Sequence, residues 1–246
     1  MIDSEGLLLA GHLSRPPSAA IPSSHALVLC HGFPAGPGGA ATSGQTYPEF
    51  ADRLAEDTGW TVLTFNFRGT GGSEGDFSLG GWLADLRAAI DHLAAVDGVG
   101  DMWLAGSSTG GALAICAAAE DERVRGVATL ASPADFRGWA EDPVGFLEHT
   151  RSIGVVRRPG FPEDVDTWAR ELAEIRPTVA IGKIPPRPVL LVHGDHDDVI
   201  PVTDARALGE AALGQVELRI VPGAGHRLRH DPRAVAILIG WMERQP

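Results

Sequence analysis

Residues 102–120 read MWLAGSSTGGALAICAAAE, and this stretch decides the fold. Its first part, Met102–Ala105, is a short apolar run, which predicts a buried strand. Its last part, Gly110–Glu120, is rich in alanine, the residue that favours helix most strongly. Glycine and serine join the two parts, so the chain is predicted to turn sharply from a strand into a helix.

The turn itself reads Gly106-Ser107-Ser108-Thr109-Gly110, which fits the pattern G-x-S-x-G. In that pattern the serine hydroxyl projects from a tight turn, and larger side chains would not fit at the glycine positions. Ser108 has glycine two residues before and after it, whereas Ser107 has Ala105 and Thr109 there. The pattern favours Ser108 as a nucleophile; a glycine- and serine-rich loop that merely caps a helix has the same composition.

Apolar strands and amphipathic helices alternate on both sides of this stretch. Such alternation predicts an α/β fold with a doubly wound, mostly parallel sheet and helices on both faces. A strand region is expected around Leu7–Leu13. The other predicted strands are Ala26–Cys30, Thr61–Phe67, Val124–Leu130, Val189–His193 and Val216–Val221. The other predicted helices are Pro48–Asp57, Trp82–Ala95, Asp204–Ala212 and Pro232–Arg244.

The segment between Ser132 and Pro186 interrupts this alternation, because it has no strong strand signal but carries several large aromatic residues. We therefore predict a helical cap at 132–186, inserted into a core formed by residues 1–131 and 187–246. A long surface excursion packed on the core is the alternative. Three aromatic residues of the segment are candidates for a substrate pocket: Trp139, Phe146 and Trp168.

A serine becomes nucleophilic when a histidine takes its proton and a carboxylate orients that histidine. Two loops downstream of Ser108 carry such residues, and each follows a predicted strand, so all three side chains are expected at one edge of the sheet. The later loop, Gly223–His226, offers His226 as the base. The earlier loop offers three carboxylates: Asp195, Asp197 and Asp198.

With these pieces the chain resembles the α/β-hydrolase superfamily, of the serine esterase and peptidase-like kind. The resemblance covers nearly the whole chain outside the predicted cap. It rests on His31-Gly32-Phe33, Asn66–Ser73, the turn at Ser108, Gly194–Asp197 and Gly225-His226. It implies the α/β-hydrolase type of sheet.

The resemblance also implies roles for particular residues. In relatives the catalytic carboxylate commonly lies three residues after the glycine of the His-Gly loop, which is Asp197 here. Asp195 and Asp198 compete with it, and Asp135 is a more distant choice. The resemblance further implies an oxyanion hole formed by the backbone N–H groups of Phe33 and Thr109, which would stabilise the developing alkoxide.

These residues together predict a hydrolase that cleaves a carboxylic ester or thioester of small-molecule size through an acyl-enzyme. The alternatives are a serine peptidase or acylaminoacyl-type hydrolase, an acyltransferase, and a non-catalytic binding use of the fold. No cofactor is expected. The Gly69–Ser73 run lacks the third glycine of a dinucleotide-binding loop, and the single lysine, Lys183, does not stand in the G-x-x-x-x-G-K-[ST] pattern of a P-loop. No metal is expected either, since the sequence has no H-E-x-x-H motif and no two cysteines at the close spacing of metal ligands.

Composition narrows the partners. The 246 residues carry a formal net charge of −12, which would repel a nucleic acid. No apolar run approaches the roughly 18 residues needed to span a bilayer, and no secretory signal is visible. We expect a cytoplasmic protein with neither nucleic acid nor membrane as a partner, and a homodimer is left open.

Overall fold

The computed structural model describes residues 1–17, 23–36 and 38–246. Residues 18–22 and Pro37, which fall within the predicted core 1–131, lie outside the described residues. The strands in the described part are β1 (Ile2–Ser4), β2 (Leu7–Leu9), β3 (Gly11–Ser14), β4 (Ala26–Cys30), β5 (Thr61–Phe65), β6 (Met102–Ser107), β7 (Val124–Leu130), β8 (Val189–Gly194) and β9 (Glu217–Val221).

The helices of the same residues lie mostly between these strands. They are α1 (Gly39–Thr42), α2 (Tyr47–Thr58), α3 (Leu79–Ala94), α4 (Thr109–Glu120), α5 (Arg137–Glu141), α6 (Pro143–Ile153), α7 (Val165–Glu174), α8 (Pro177–Ala180), α9 (Val202–Ala211) and α10 (Pro232–Glu243). Two short 3-10 turns, Ile181–Lys183 and Leu228–His230, complete them.

The main sheet has the strand order β3-β5-β4-β6-β7-β8-β9. All its pairings are parallel except that of β3 with β5, and β1 forms a separate antiparallel pair with β2. The predicted doubly wound, mostly parallel sheet is confirmed. Because parallel strands end at the same edge, the loops after β4, β6, β7, β8 and β9 all open on one side of the sheet.

Among the element boundaries that differ from the prediction, two have a clear local reason. The strand region around Leu7–Leu13 is two strands, because residues on either side of Ala10 pair with different partners, β1 and β5. Helix α3 begins at Leu79, three residues before the predicted start. The side chain of Ser78 caps it by accepting the N–H of Gly81 at 3.0 Å, and the glycines of its first turn hid this start from the sequence pattern.

Each face of the sheet is covered by its own apolar core. Alternate residues of β4 point to opposite faces: Val28 joins the core that includes α3 and α4, and Leu29 joins the core that includes α2 and α10. All five residues of β4 are therefore buried. Burial of both faces explains why these strands are continuous apolar runs rather than alternating patterns.

The segment 132–186 contains helices α5 to α8 and no strand in the described residues. Helix α7 packs on α3 and α5, whereas α8 packs on α4 and α9 of the helical layer around the sheet. Trp168 fixes α7 to the core, since its ring is 3% exposed and its Nε1–H donates to the carbonyl of Phe77 at 3.1 Å. The division of the chain at 132 and 186 stays a prediction. No helix within the described ranges is long and apolar enough to cross a membrane.

Candidate active site

Ser108 lies at the point where β6 turns into α4, with φ 51° and ψ −126°. A positive φ is unfavourable for a residue with a side chain, and such strain clusters at functional sites. The turn is tight enough to require glycine nearby: a Cβ at Gly106 would come within 2.5 Å of the Gly110 backbone, and one at Gly110 would overlap the carbonyl oxygen of His31. The N–H of Ser108 donates to Leu130 of β7 at 2.8 Å and holds the turn against the sheet.

His226 and Asp197 form a hydrogen-bonded pair in the loops after β9 and β8. Nδ1 of His226 lies 2.9 Å from Oδ2 of Asp197, and the carboxylate is fully buried while the imidazole is 21% exposed. Oδ1 of Asp197 accepts the backbone N–H groups of Val199 and Ile200, both at 2.9 Å. The carboxylate is thus fixed on both sides, and only one edge of it is left for the imidazole.

His193 supports the same carboxylate from the core side. The ring is 1% exposed, and Nε2 lies 2.9 Å from the carbonyl of Ile200 and 3.3 Å from Oδ2 of Asp197. A carbonyl can only accept, so Nε2 carries the proton. This donor stabilises the negative charge of Asp197 and closes the loop around it.

The other candidate carboxylates are engaged elsewhere or exposed. Asp195 is exposed and accepts the N–H of Gly223 at 2.6 Å, which ties the two loops together. Asp198 is exposed at the rim of the cavity described below. Asp135 pairs with Arg137 at 3.1 Å. Among the four predicted alternatives, Asp197 is the one that contacts His226.

The loop after β4 supplies Phe33, whose backbone N–H, like that of Thr109, has no acceptor in the part of the chain that the structure describes. His31 shapes this loop: its Nε2 accepts the N–H of Phe67 at 3.2 Å, so Nδ1 carries the proton and donates to the carbonyl of Gly32 at 2.8 Å. Burial lowers the pKa of His31 from 6.5 to about 4, with a smaller lowering from the charge of Arg229. The ring is therefore a neutral structural element at physiological pH.

An open cavity of about 1230 Å³ lies above Ser108 and His226. Its apolar wall combines the loop after β4, the segment 132–186 and the loop after β8. The side chains of this wall include Phe33, Phe136, Trp139, Val199, Ile200 and Pro201. Among the described residues no group of three His, Cys, Asp or Glu side chains is arranged as metal ligands would be.

The three predicted pocket aromatics have different positions. Trp139 lines the cavity, and its ring stacks on Phe146 with centroids 4.3 Å apart. Phe146 in turn stacks on Trp168 at 5.8 Å, and both are buried behind Trp139 without lining the cavity. This corrects the expectation that all three form the pocket surface. Trp139 alone of the three lines the cavity, and Phe146 and Trp168 pack behind it.

Comparison with known proteins shows the family of the chain. A family model described as the alpha/beta hydrolase family matches residues 27–238. The chain belongs to the alpha/beta hydrolase family. Its match begins in β4 and ends in α10, so it includes the loops that carry Ser108, Asp197 and His226.

The chain is similar to known proteins in sequence and in structure. An uncharacterised protein of Mycobacterium tuberculosis is 32% identical over 176 residues, which are 71% of this chain and 54% of that protein. The chain thus spans about half the length of the curated relatives it matches. Est1E from Butyrivibrio proteoclasticus, solved with ferulic acid bound, is 23% identical with a TM-score of 0.70, covering 98% of this chain and 95% of that one.

A second solved structure, the alpha/beta hydrolase GrgF from Penicillium sp. sh18, has a TM-score of 0.73 at 22% identity and covers 99% of this chain and 96% of that chain. At these identities the two structures show a shared fold.

Sequence reasoning missed several residues of this candidate site. The cavity wall includes Val199, Ile200 and Pro201, which begin two residues after the candidate acid Asp197; this short apolar run was the available signal. Tyr47 and Arg229 also lie close to Ser108, in a second cavity considered below. No local pattern marks these two residues, because they meet through contacts between distant parts of the chain.

Proposed function

We propose that this alpha/beta hydrolase cleaves a carboxylic ester or thioester through an acyl-enzyme on Ser108. The observation that carries the proposal is the buried Asp197 carboxylate, 2.9 Å from Nδ1 of His226, in a cavity that Ser108 also lines. This is the pairing of base and orienting carboxylate that serine nucleophiles require. The strained backbone at Ser108 supports the same role.

In the proposed reaction, Nε2 of His226 takes the hydroxyl proton of Ser108 while Oγ attacks the carbonyl carbon of the ester. Asp197 keeps the other ring nitrogen protonated and stabilises the imidazolium. The N–H groups of Phe33 and Thr109 stabilise the oxyanion of the tetrahedral intermediate. Collapse of that intermediate breaks the bond to the leaving group, which takes the proton from His226.

Water completes the cycle by the same route. His226 accepts a proton from the water as it attacks the acyl-enzyme, and then returns that proton to Oγ of Ser108 as the acid is released. The apolar wall of the large cavity supports an apolar acyl or alcohol group as one half of the substrate, because burial of such a group contributes about 25 cal/mol per Å².

The test is covalent labelling by a fluorophosphonate probe, read by mass spectrometry, together with the release of p-nitrophenol from p-nitrophenyl acetate. The wild type is expected to gain one adduct and to show a burst of one equivalent. Ser108→Ala should lose both. Ser107→Ala is the matched control, because it removes the neighbouring hydroxyl and should still be labelled.

Labelling that persists in Ser108→Ala, or a wild type that neither reacts with the probe nor turns over any ester, would overturn the proposal. Circular dichroism of each variant shows whether a loss of labelling reflects lost folding.

A further inference from the structure

A second cavity adjoins Ser108 and has no lining residue from the segment 132–186. It measures about 290 Å³ and shares Ser108, His226 and Phe33 with the large cavity. Its remaining wall is formed by the loop after β4, by Tyr47 at the start of α2 and by the 3-10 turn that carries Arg229. The two cavities therefore meet at the candidate nucleophile, as the two halves of a cleavable substrate would require.

The two cavities differ in charge. The large cavity is bordered by four aspartates: Asp135, Asp198, Asp204 and Asp231. The small cavity has no Asp or Glu among its described lining residues; it is lined by Arg229 and by Arg227, which also lines the large cavity. Since like charges repel and opposite charges attract, an anionic group of a substrate is favoured in the small cavity and disfavoured in the large one.

Arg229 is held in place without a carboxylate partner. Its Nη1 donates to Oγ1 of Thr46 at 3.0 Å and contacts the His230 ring, and its guanidinium carbon lies 5.0 Å from the centre of the Tyr47 ring. Its Nε and Nη2 have no acceptor within residues 1–17, 23–36 and 38–246. In a chain of net charge −12, an arginine held on the wall of a cavity that Ser108 also lines, with Nε and Nη2 free to donate, is a preformed site for a planar anion.

The neighbouring histidine reports the same positive field. The pKa of His230 is lowered, first by burial and then by the charges of Arg229 and Arg227. Arg151 and Arg157 do not share this position. Arg151 donates to the carbonyl of Phe161 and Arg157 donates to the carbonyl of Ser73, and both lie outside the two cavities.

We propose that the small cavity binds an anionic group of the substrate, a carboxylate or an equivalent oxyanion, and that Arg229 is the residue that selects it. The inference rests on the proposed ester hydrolysis and names its substrate class: an ester with an apolar part on one side of the scissile carbonyl and a short anionic part on the other. The small volume requires the anion to lie within a few atoms of that carbonyl.

Two matched pairs of esters test this inference. In the first pair the anion is in the acyl part: p-nitrophenyl hemiglutarate against the p-nitrophenyl ester of monomethyl glutarate. In the second pair it is in the alcohol part: the phenylacetyl ester of glycolate against that of glycolamide. The readout is the ratio of kcat/KM for the anionic ester to that for its neutral partner.

The wild type is expected to prefer the anionic ester by about 10- to 100-fold in one of the two pairs, the range of a charge-assisted hydrogen bond. Arg229→Gln should bring that ratio close to one, and Arg229→Lys should retain part of it. Arg206→Gln is the control, because Arg206 is exposed on α9, lines neither cavity and should leave the ratio unchanged.

A ratio near one for the wild type in both pairs, or a ratio that Arg229→Gln leaves unchanged, would overturn the inference. The wild-type ratio does not depend on the folding of any variant. Neutral esters that are hydrolysed without an anionic preference would contradict only this inference, whereas the absence of any turnover and of any fluorophosphonate label would contradict the proposed function itself.

Discussion

The buried carboxylate of Asp197 allows a quantitative test of the site through a change of one atom, Asp197→Asn. Oδ1 accepts two backbone N–H groups, from Val199 and Ile200, and an amide nitrogen cannot accept either of them. The amide oxygen of the asparagine must therefore take that position, and its NH₂ group must face His226. Nδ1 of His226 then has to accept a hydrogen bond, which moves the ring proton to Nε2.

An imidazole protonated at Nε2 cannot take the proton of Ser108. We therefore expect kcat/KM for p-nitrophenyl acetate to fall by on the order of 10⁴, or about 5.4 kcal/mol of transition-state stabilisation. The new NH₂ group also meets the Nε2–H of His193, which lies 3.3 Å from Oδ2 in the wild type. Two facing donors should lower the free energy of unfolding by about 1–3 kcal/mol in addition.

Stopped-flow acylation measures the rate, and urea unfolding measures the stability. Asp195→Asn is the matched control, because Asp195 is exposed and accepts the N–H of Gly223, a bond that an amide oxygen can also accept. Its rate should stay within a few-fold of the wild type. A variant at Asp195 that loses the rate while Asp197→Asn keeps it would refute the assignment of the acid.

Three further predictions follow from the packing and burial around the site. Gly110→Ala should lower the free energy of unfolding in urea by about 1–3 kcal/mol, because its Cβ would overlap the carbonyl oxygen of His31. The control is Gly209→Ala in α9, whose Cβ would lie 3.7 Å from Val216 and which should raise the free energy of unfolding by about 0.5–1 kcal/mol; a neutral Gly110→Ala would contradict the tight turn. The ring ¹⁵N shifts of His31, assigned by comparison with His31→Gln, should not titrate until about pH 4. Because the unfolded chain takes up this proton near pH 6.5, the free energy of unfolding should fall as the pH drops from about 6.5 to about 4. A titration midpoint near 6.5 would show that the ring is not buried as described. Trp139→Ala should change how kcat/KM depends on acyl chain length, because Trp139 lines the cavity. Trp168→Ala should mainly lower the free energy of unfolding, by about 3–5 kcal/mol, because Trp168 is buried. An unchanged dependence on chain length in Trp139→Ala would exclude Trp139 from the pocket.

Local patterns were sufficient to predict the sheet, the candidate nucleophile and the two loops that carry the candidate base and acid. A buried parallel strand is a continuous apolar run, and the turn at Ser108 requires glycine two residues before and after it. Both signals lie within a few residues of one another. The loops after β8 and β9 follow strands that local composition also marks, so chain order and sheet topology predicted His226 and the loop that carries the acid. The choice of Asp197 over Asp195 and Asp198 within that loop came from the family resemblance.

Only the tertiary structure decided which side chains face the substrate. Trp139, Phe146 and Trp168 are equivalent as sequence signals. The packing of α7 on α3 and α5, and of α6 on α5, buries two of them and leaves one on the cavity wall. Arg229 gives no local signal at all, because the residues that fix it, Thr46 and Tyr47, are about 180 positions earlier in the chain. Backbone conformation at each residue depends mainly on its neighbours in sequence, whereas the surface of a cavity depends on contacts between distant segments, which form only when the whole chain has folded.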